Sequence, residues 1–586
     1  MSGIQAILHA VEVGKARFVI FVIPLLTALL VISLAYNLRV YHGLNDAQSM
    51  DNAQLARQIA RGSGFTTEFL RPYAVMQLND FAAKKTGYLF PPDLFPAGTP
   101  RILPDTYNAP GYPYLLAGWF KLTRPQYDLW LPKFFMYEGD FVIPWLNQIF
   151  IILTGFFVFR LGYFLFDIRV AWVALLAYLG SSMVWQYSIT ALSTSFLMLL
   201  VTALLFVAFK IYCLAEAHFE SDEPFWPAWI WTLALCFLLA IACLTRLHLL
   251  ILLVPVLVFL ALIPRTNYFL LPFVALVVMG LVAPWFWHVY KICGNPVGSN
   301  LLLLLYGNDG YTGNQIFCQN SIPRYEQLFK GMIPKEIHGF LWHSQHAWEL
   351  LGSNPLILFF AACILHRFKR GRAAALFWFI IGSAICIIGA DNLEINEAAA
   401  VGPWNTLVVL FPGMLVMGAA FFFILLDRLD LPLWHLNYLI ITIMLGLTIL
   451  PLGLSMLSPS GNLYNYPPYI PPAITQISKW AQPDEWVTTD MPWATAWYGD
   501  RASLWQPDST KDFYHLNDDV CPTGILLLGP VTLDAPLDNL VSGEYKDWLP
   551  MFLGTGLPEK FPLTAHTNFI ASGFSYFVWS NTERWK

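Results

Sequence analysis

Apolar stretches of about 20 residues, the length an α-helix needs to cross the hydrocarbon core of a bilayer, recur through this chain and leave little alternative to a helical membrane protein. They begin near Phe18, Phe141, Val170, Ala191, Pro227, Leu247, Tyr268, Pro355, Ala373, Thr406 and Leu436, about eleven spans. The composition agrees, since 57% of the 586 residues are hydrophobic and 12% are charged, outside the range of soluble domains. The first run follows Lys15 and Arg17, exceeds the h-region of a signal peptide and lacks a small-residue cleavage site, so it reads as a retained anchor.

Charge orders these spans. With the N-terminus inside, Arg160, Arg169, Lys210, Arg265, the run "RFKRGR" from Arg367 to Arg372 and Arg428 all fall on the cytoplasmic face, as the excess of Lys and Arg in inner loops requires. An odd number of spans then sends three polar segments to the opposite face: a first loop, 38–140, a second loop, 291–354, and the tail from 457 onward. "APGYPYLLAGWF", beginning at Ala109, is short and broken by proline, so it reads as a juxtamembrane helix rather than a span. The expected division is a membrane domain, 1–456, followed by an extracytoplasmic α/β domain, 457–586. "YPPYIPP" acts as a stiff linker before the strand-like runs "EWVTTD", "GILLLGP" and "FSYFVWS".

The net charge of -5 gives no sign of a nucleic-acid partner. Eight cysteines show no metal-type spacing, and a Cys293–Cys318 bond is left open. His338, His343 and His346 in "HGFLWHSQHAW" are candidate zinc ligands, but the interleaved tryptophans suit an interfacial helix better. No cofactor is called, and a divalent metal is left open.

The stretch "DNAQLARQIARGSGF" follows the first membrane exit. Asp51 precedes Gln54 by three residues, which makes a capping box; Leu55 and Ile59 share a helical face, and Gly62 suits a helix stop. Yet Asp46 and Asp51 lie where acid meets lipid headgroups, and acid in that position calls for a use.

The order of such features resembles the GT-C membrane glycosyltransferases, in particular the bacterial branch similar to protein O-mannosyltransferases and lipid A aminoarabinose transferases (family 39). The resemblance is carried by "DNAQLARQIARGSGF", "TYNAPGYPYLLAGWF", "ACLTRLHLLILLVPVL", "LVAPWFWHVY" and "EWVTTDMPWATAWYGDRASLW", in that order along most of the chain. It implies an inner-membrane enzyme that moves a sugar from a polyprenyl-phosphate donor to a lipid, protein or glycan acceptor on the extracytoplasmic face, with inversion. Asp51 is then the base and Asp46 its companion. Arg246, at the outer end of the fifth span with His248 close by, reads either as the group that holds the donor phosphate or as an interfacial arginine snorkelling to headgroups; Arg71 and Arg101 are further phosphate candidates.

Two departures from the family pattern stand out. Ala109 occupies the place before Pro110 where the family usually has lysine, and "SITALSTSF" offers only the hydroxyls of Ser188, Thr190, Ser193, Thr194 and Ser195 where an aspartate is often found. Glu394 and Glu397 in "ADNLEINEAAAVGPW" are candidate substitutes for that acid. The rival readings are a ligase or polymerase of pyrophosphate-linked glycans, and a non-enzymatic transporter or flippase of lipid-linked substrates.

Overall fold

The computed structural model describes residues 16–87, 103–130, 136–221, 226–263, 268–305, 315–320, 332–394, 405–429, 434–457 and 470–585, apart from 534–536, 544, 555 and 572. From the N-terminus the chain runs through α1 (Ala16–Arg39), then α2 (Ala47–Arg61), α3 (Pro72–Thr86) and α4 (Gly111–Thr123) of the first loop. Next come α5 (Glu138–Leu165), α6 (Ile168–Leu179), α7 (Ser182–Ser188), α8 (Thr194–Ser221) and α9 (Trp226–Thr245). A 3₁₀ turn, Leu247–Leu252, leads into α10 (Leu253–Leu262), followed by α11 (Leu270–Cys293). The second loop ends in α12 (Met332–Leu350), and α13 (Pro355–Ala362), α14 (Gly371–Glu394), α15 (Phe411–Arg428) and α16 (Trp434–Leu457) complete the membrane part. The tail carries α17 (Pro471–Trp480), α18 (Pro492–Gly499) and α19 (Thr510–Asp519).

Among the described residues seven helices are long and apolar enough to span, α6 and α7 make an eighth bent by 53°, and Ile23–Arg39, Leu247–Leu262 and Pro355–Leu365 are shorter apolar helices. Together these occupy all the positions expected from hydropathy. The bend falls at Gly180, where a Cβ would collide with Ile449 of α16. The apolar window of α15 is 94% buried and that of α16 only 17%, so α15 is the axis of the bundle and α16 lies at its rim. Small residues make that axis possible: a side chain at Gly418 would strike the Leu356 carbonyl of α13, and one at Gly413 would strike Leu205 of α8.

"APGYPYLLAGWF" contributes a helix of 13 residues, α4, too short to cross a bilayer. The capping box expected at Asp51 is not what starts α2. Asp46 is the N-cap, accepting from the Ser49 amide at 2.7 Å, and Asp51 sits a turn inside the helix, bonded side chain to side chain with Gln54 at 2.9 Å. The reason is positional: the chain leaves its extended conformation at Asp46, so the helix has begun before Asp51 is reached. Gly62 closes the helix at φ +91°, a left-handed conformation that favours glycine.

The tail builds a sheet of order β2-β7-β6-β8-β10-β9. Its strands are β6 (Trp486–Thr489), β7 (Ser503–Trp505), β8 (Thr523–Leu528), β9 (Ala565–Ala571) and β10 (Phe574–Ser580), covering the three strand-like runs seen in the sequence. The edge strand β2 (Phe69–Leu70) comes from the first loop and pairs in parallel with β7. Of the linker "YPPYIPP", residues 466–469 lie outside the described residues, while Pro471 and Pro472 form the first turn of α17, where a missing amide costs nothing. The first loop adds two small antiparallel pairs: β1 (Thr66–Thr67) with β3 (Leu103–Pro104), and β4 (Leu129–Trp130) with β5 (Met136–Tyr137).

Two buried charges bolt these parts together. Arg57 of α2 has no exposed side-chain surface; it pairs with Glu68 at 2.6 Å and donates to the Ala496 and Trp497 carbonyls of α18 at 2.6 and 2.7 Å. Asp140, in the first turn of α5, accepts from the Trp497 indole at 2.7 Å and the Tyr498 hydroxyl at 2.8 Å. Arg57→Ala leaves Glu68 without its cation in the interior, so it is expected to cost about 3–5 kcal/mol of stability. Arg61→Ala breaks a half-exposed pair with Asp500 and a contact over the Tyr127 ring, and should cost about 1 kcal/mol or less. Thermal melting of the two purified variants in detergent distinguishes these costs.

Candidate functional site

Asp51 lies on the side of α2 that faces the turn before α4. Its Oδ2 accepts from Arg71 Nη2 at 2.7 Å and from Asn108 Nδ2 at 3.0 Å, while Oδ1 takes the Gln54 amide. Arg71 is held between two rings, with the Phe69 centroid 4.0 Å and the Tyr107 centroid 3.9 Å from its guanidinium carbon. That sandwich fixes the cation without spending its donors.

Asp105 is a second buried carboxylate that the sequence analysis did not single out. It accepts the Tyr107 and Asn108 amides, each at 2.7 Å, and the Asn108 side chain at 2.9 Å. This is an Asx turn, and "PDTYNAP" carries its composition. The Asn108 amide group therefore donates to both carboxylates, and its oxygen accepts from Gln48 at 2.8 Å. Burial holds the Asp105 carboxyl above its ordinary range; the charge of Asp51 pushes the same way and Arg71 opposes both.

The second loop pins this turn. Ser299 donates its amide to the Thr106 carbonyl at 3.1 Å and Asn300 donates to the Tyr107 carbonyl at 3.3 Å. Gly298, at φ +67°, lies so close to the Thr106 carbonyl that no side chain fits. On the other flank, a Cβ at Gly111 would collide with Thr245, so glycine lets the start of α4 meet the end of α9. That contact brings Asn108 opposite Arg246.

Arg246 follows α9 and donates to Thr406 Oγ1 at 2.7 Å. The His248 ring meets Glu394 at 2.9 Å through Nδ1, and through Nε2 it meets Thr406 at 3.1 Å and Asp391 at 3.4 Å. Asp391 is another buried acid absent from the sequence candidates, since inside the apolar run of α14 it reads only as the end of a span. A polar cleft is lined by Gln48, Asn52, Asn108 and Ser193 together with Arg246, His248 and Glu394. Asp51 is 1% exposed and stands behind Asn108.

The sequence candidates thus divide. Arg246, His248 and Glu394 converge on the cleft, and Asp51 adjoins it. Arg71 pairs with Asp51 and lines a separate small cavity behind it, while Asp46 is engaged as a helix cap. Of the hydroxyls in "SITALSTSF", Ser193 faces the cleft, whereas Ser188 and Thr190 donate back to the Trp185 and Tyr187 carbonyls. Arg101 and Glu397 lie outside the described residues. His343 and His346 bond to carbonyls one turn back in α12, and among the described residues no three His, Cys, Asp or Glu side chains converge as a metal site. Cys293 and Cys318 are both buried and are not bonded to each other.

No family model matches the chain, and no curated protein sequence matches it. Solved structures do. ArnT from Cupriavidus metallidurans in the apo state aligns with a TM-score of 0.51 at 13% identity, over 97% of this chain and 99% of that one. The chain shares the fold of that structure. The chain is also similar to ArnT bound to undecaprenyl phosphate, with a TM-score of 0.49, 12% identity and coverage of 96% and 98%. A third match is the archaeal oligosaccharyltransferase AglB from Archaeoglobus fulgidus with an inhibitory peptide and a dolichol-phosphate, with a TM-score of 0.49, 12% identity and coverage of 95% and 74%.

The raised Asp105 carboxyl has a consequence for stability. A carboxyl that holds its proton more tightly when folded stabilises the fold fully in acid and loses that contribution as pH climbs past its unfolded value of about 4. Asp105→Asn keeps an acceptor for the turn but does not titrate. Its melting temperature relative to wild type is therefore expected to improve between pH 4 and pH 8, read by thermal scans in matched detergent buffers.

Proposed function

We propose that this multi-pass membrane protein transfers a sugar from a polyprenyl-phosphate donor to a lipid, protein or glycan acceptor on the extracytoplasmic face of the inner membrane. One observation carries the reading: Arg246 and His248 line the same cleft as Asn108, whose amide donates to the Asp51 carboxylate. That is the charge pattern a direct displacement needs. Cations face the oxygen that leaves with phosphate, and a carboxylate lies near the hydroxyl that attacks.

In this reading the acceptor oxygen bonds to the anomeric carbon as the carbon–oxygen bond to phosphate breaks. The lipid phosphate departs with the bonding pair, and the acceptor proton passes to Asp51. Asn108 stands between that carboxylate and the cleft, so its amide turns aside to give the acceptor access. Attack opposite the leaving group inverts the anomeric centre. Arg246, at the end of α9, has the fork geometry for phosphate oxygens, and His248 supplies a second donor beside it.

Incubation of the purified protein with a panel of radiolabelled polyprenyl-phosphate sugars and membrane extract tests the proposal. Wild type is expected to move label to an acceptor. A correctly assembled Asp51→Asn variant should be slower by at least about 100-fold, the low end for loss of a general base, and Arg246→Ala by about 10-fold or more, for loss of a charge-assisted phosphate contact. Full activity in Asp51→Asn removes the base from that residue; consumption of pyrophosphate-linked donors alone makes the enzyme a glycan ligase or polymerase. Movement of lipid across liposomes without any glycosidic product makes it a transporter.

A further inference from the structure

The cleft wall that carries Arg246 and His248 also carries acid. His248 touches both Glu394 and Asp391, so even a protonated imidazole beside Arg246 is balanced by two carboxylates. A phosphodiester brings one negative charge, and the lipid phosphate that leaves gains a second. Arg71 is committed to Asp51 at 2.7 Å and Arg57 to Glu68 at 2.6 Å. The wall as built is short of positive charge for the proposed chemistry.

The helix α12 brings a further cation to this wall. Lys335, in its first turn, donates through Nζ to the Leu393 carbonyl at 2.8 Å, one residue before cleft-lining Glu394. The helix is seated against the end of α14 at Gly339, where any side chain would collide with Asn392. Among the described residues Lys335 closes no ion pair. The charged groups it faces are Glu394 from α14 and Glu336 from its own helix.

The orientation of α12 is the reverse of a soluble amphipathic helix. Ile333, Ile337, Phe340 and Leu341 are 75, 59, 46 and 55% exposed and share one face, while the lysine is turned inward. An apolar outer stripe suits lipid, which α14 also meets through exposed Trp378 and Ile385. Burial pushes the Lys335 ammonium down to about 8, with Glu394 and Glu336 acting against it. A lysine so desolvated is prepared to exchange a neutral carbonyl for an anion.

We infer that Lys335 binds the phosphate of the lipid-linked donor, passing from the Leu393 carbonyl to the phosphate oxygens as the lipid enters beneath α12. This rests on the proposed function and supplies the cation that Ala109 cannot.

The test uses the full chain in nanodiscs and undecaprenyl phosphate as the probe, with wild type, Lys335→Ala and Lys335→Arg compared at pH 7 and pH 9. Lys335→Ala should weaken binding about 10-fold or more, the usual cost of one charge-assisted contact, with Lys335→Arg close to wild type. Wild-type affinity should fall at pH 9, where Lys335 loses its proton, and the arginine variant should resist that fall. Equal binding by wild type and Lys335→Ala overturns the inference while leaving the proposed function intact. Equal weakening of both variants, with lowered melting temperatures, makes the lysine a docking group for α12 and also overturns it. If wild type neither binds the probe nor consumes any lipid-linked sugar, the proposed function itself fails.

Discussion

The fully buried Arg57 guanidinium ties four parts of the chain together, its own helix included. It joins α2, which carries it, to Glu68 beside β2, to the last carbonyls of α18 and to the Tyr137 hydroxyl of β5. A buried cation is tolerable only when most of its donors are met; here both terminal nitrogens are bonded and Nε has no partner among the described residues, the partners coming from positions as far apart in sequence as 68 and 497. Once this contact forms, the first loop and the tail cease to be independent. Strand β2 enters the tail sheet next to β7, and Asp140 at the head of α5 closes the same seam through Trp497 and Tyr498.

The helix α2 is consequently wall rather than surface. Every residue from Ser49 to Ile59 is buried, an unusual state for a helix rich in Asn, Gln, Asp and Arg. Most of its polar side chains are tied to a neighbouring element. Ser49 and Asn52 bond the backbone at Ala191, Asp51 meets Arg71 and Asn108, and Gln54 reaches Thr67 and the Glu68 amide. The site is therefore held by the same helix that fastens the tail.

Glycines set the remaining distances. Gly111 lets α4 abut α9, and Gly298 lets the second loop rest on the Thr106 carbonyl, so the Asx turn of Asp105 is clamped from both flanks. This converts a short loop segment into a rigid support for Asn108, which stands between the carboxylates and the cleft. Precise placement of such groups depends on supporting contacts rather than on the groups alone.

Hydropathy alone located the spans, because a bilayer demands a run of apolar residues whatever their neighbours, and the strands β6, β8 and β10 were visible in their apolar runs for a similar reason. Arg246, His248 and Glu394 were also legible, since charge at the end of an apolar run is costly enough to be conspicuous. What the sequence could not determine is pairing. Nothing local distinguishes Asp51, one turn inside a helix, from a cap, and nothing local joins Arg71 to it across 20 residues, Arg57 to Trp497 across 440, or Lys335 to Leu393 across 58. Asp105 and Asp391 passed unnoticed because their importance lies in burial beside other charges, and burial exists only once the chain has closed on itself. Sequence decided where the chain crosses the membrane and which residue types stand at its edge; tertiary structure decided which charges meet, because the cost of an unpaired charge is set by the water that folding removes.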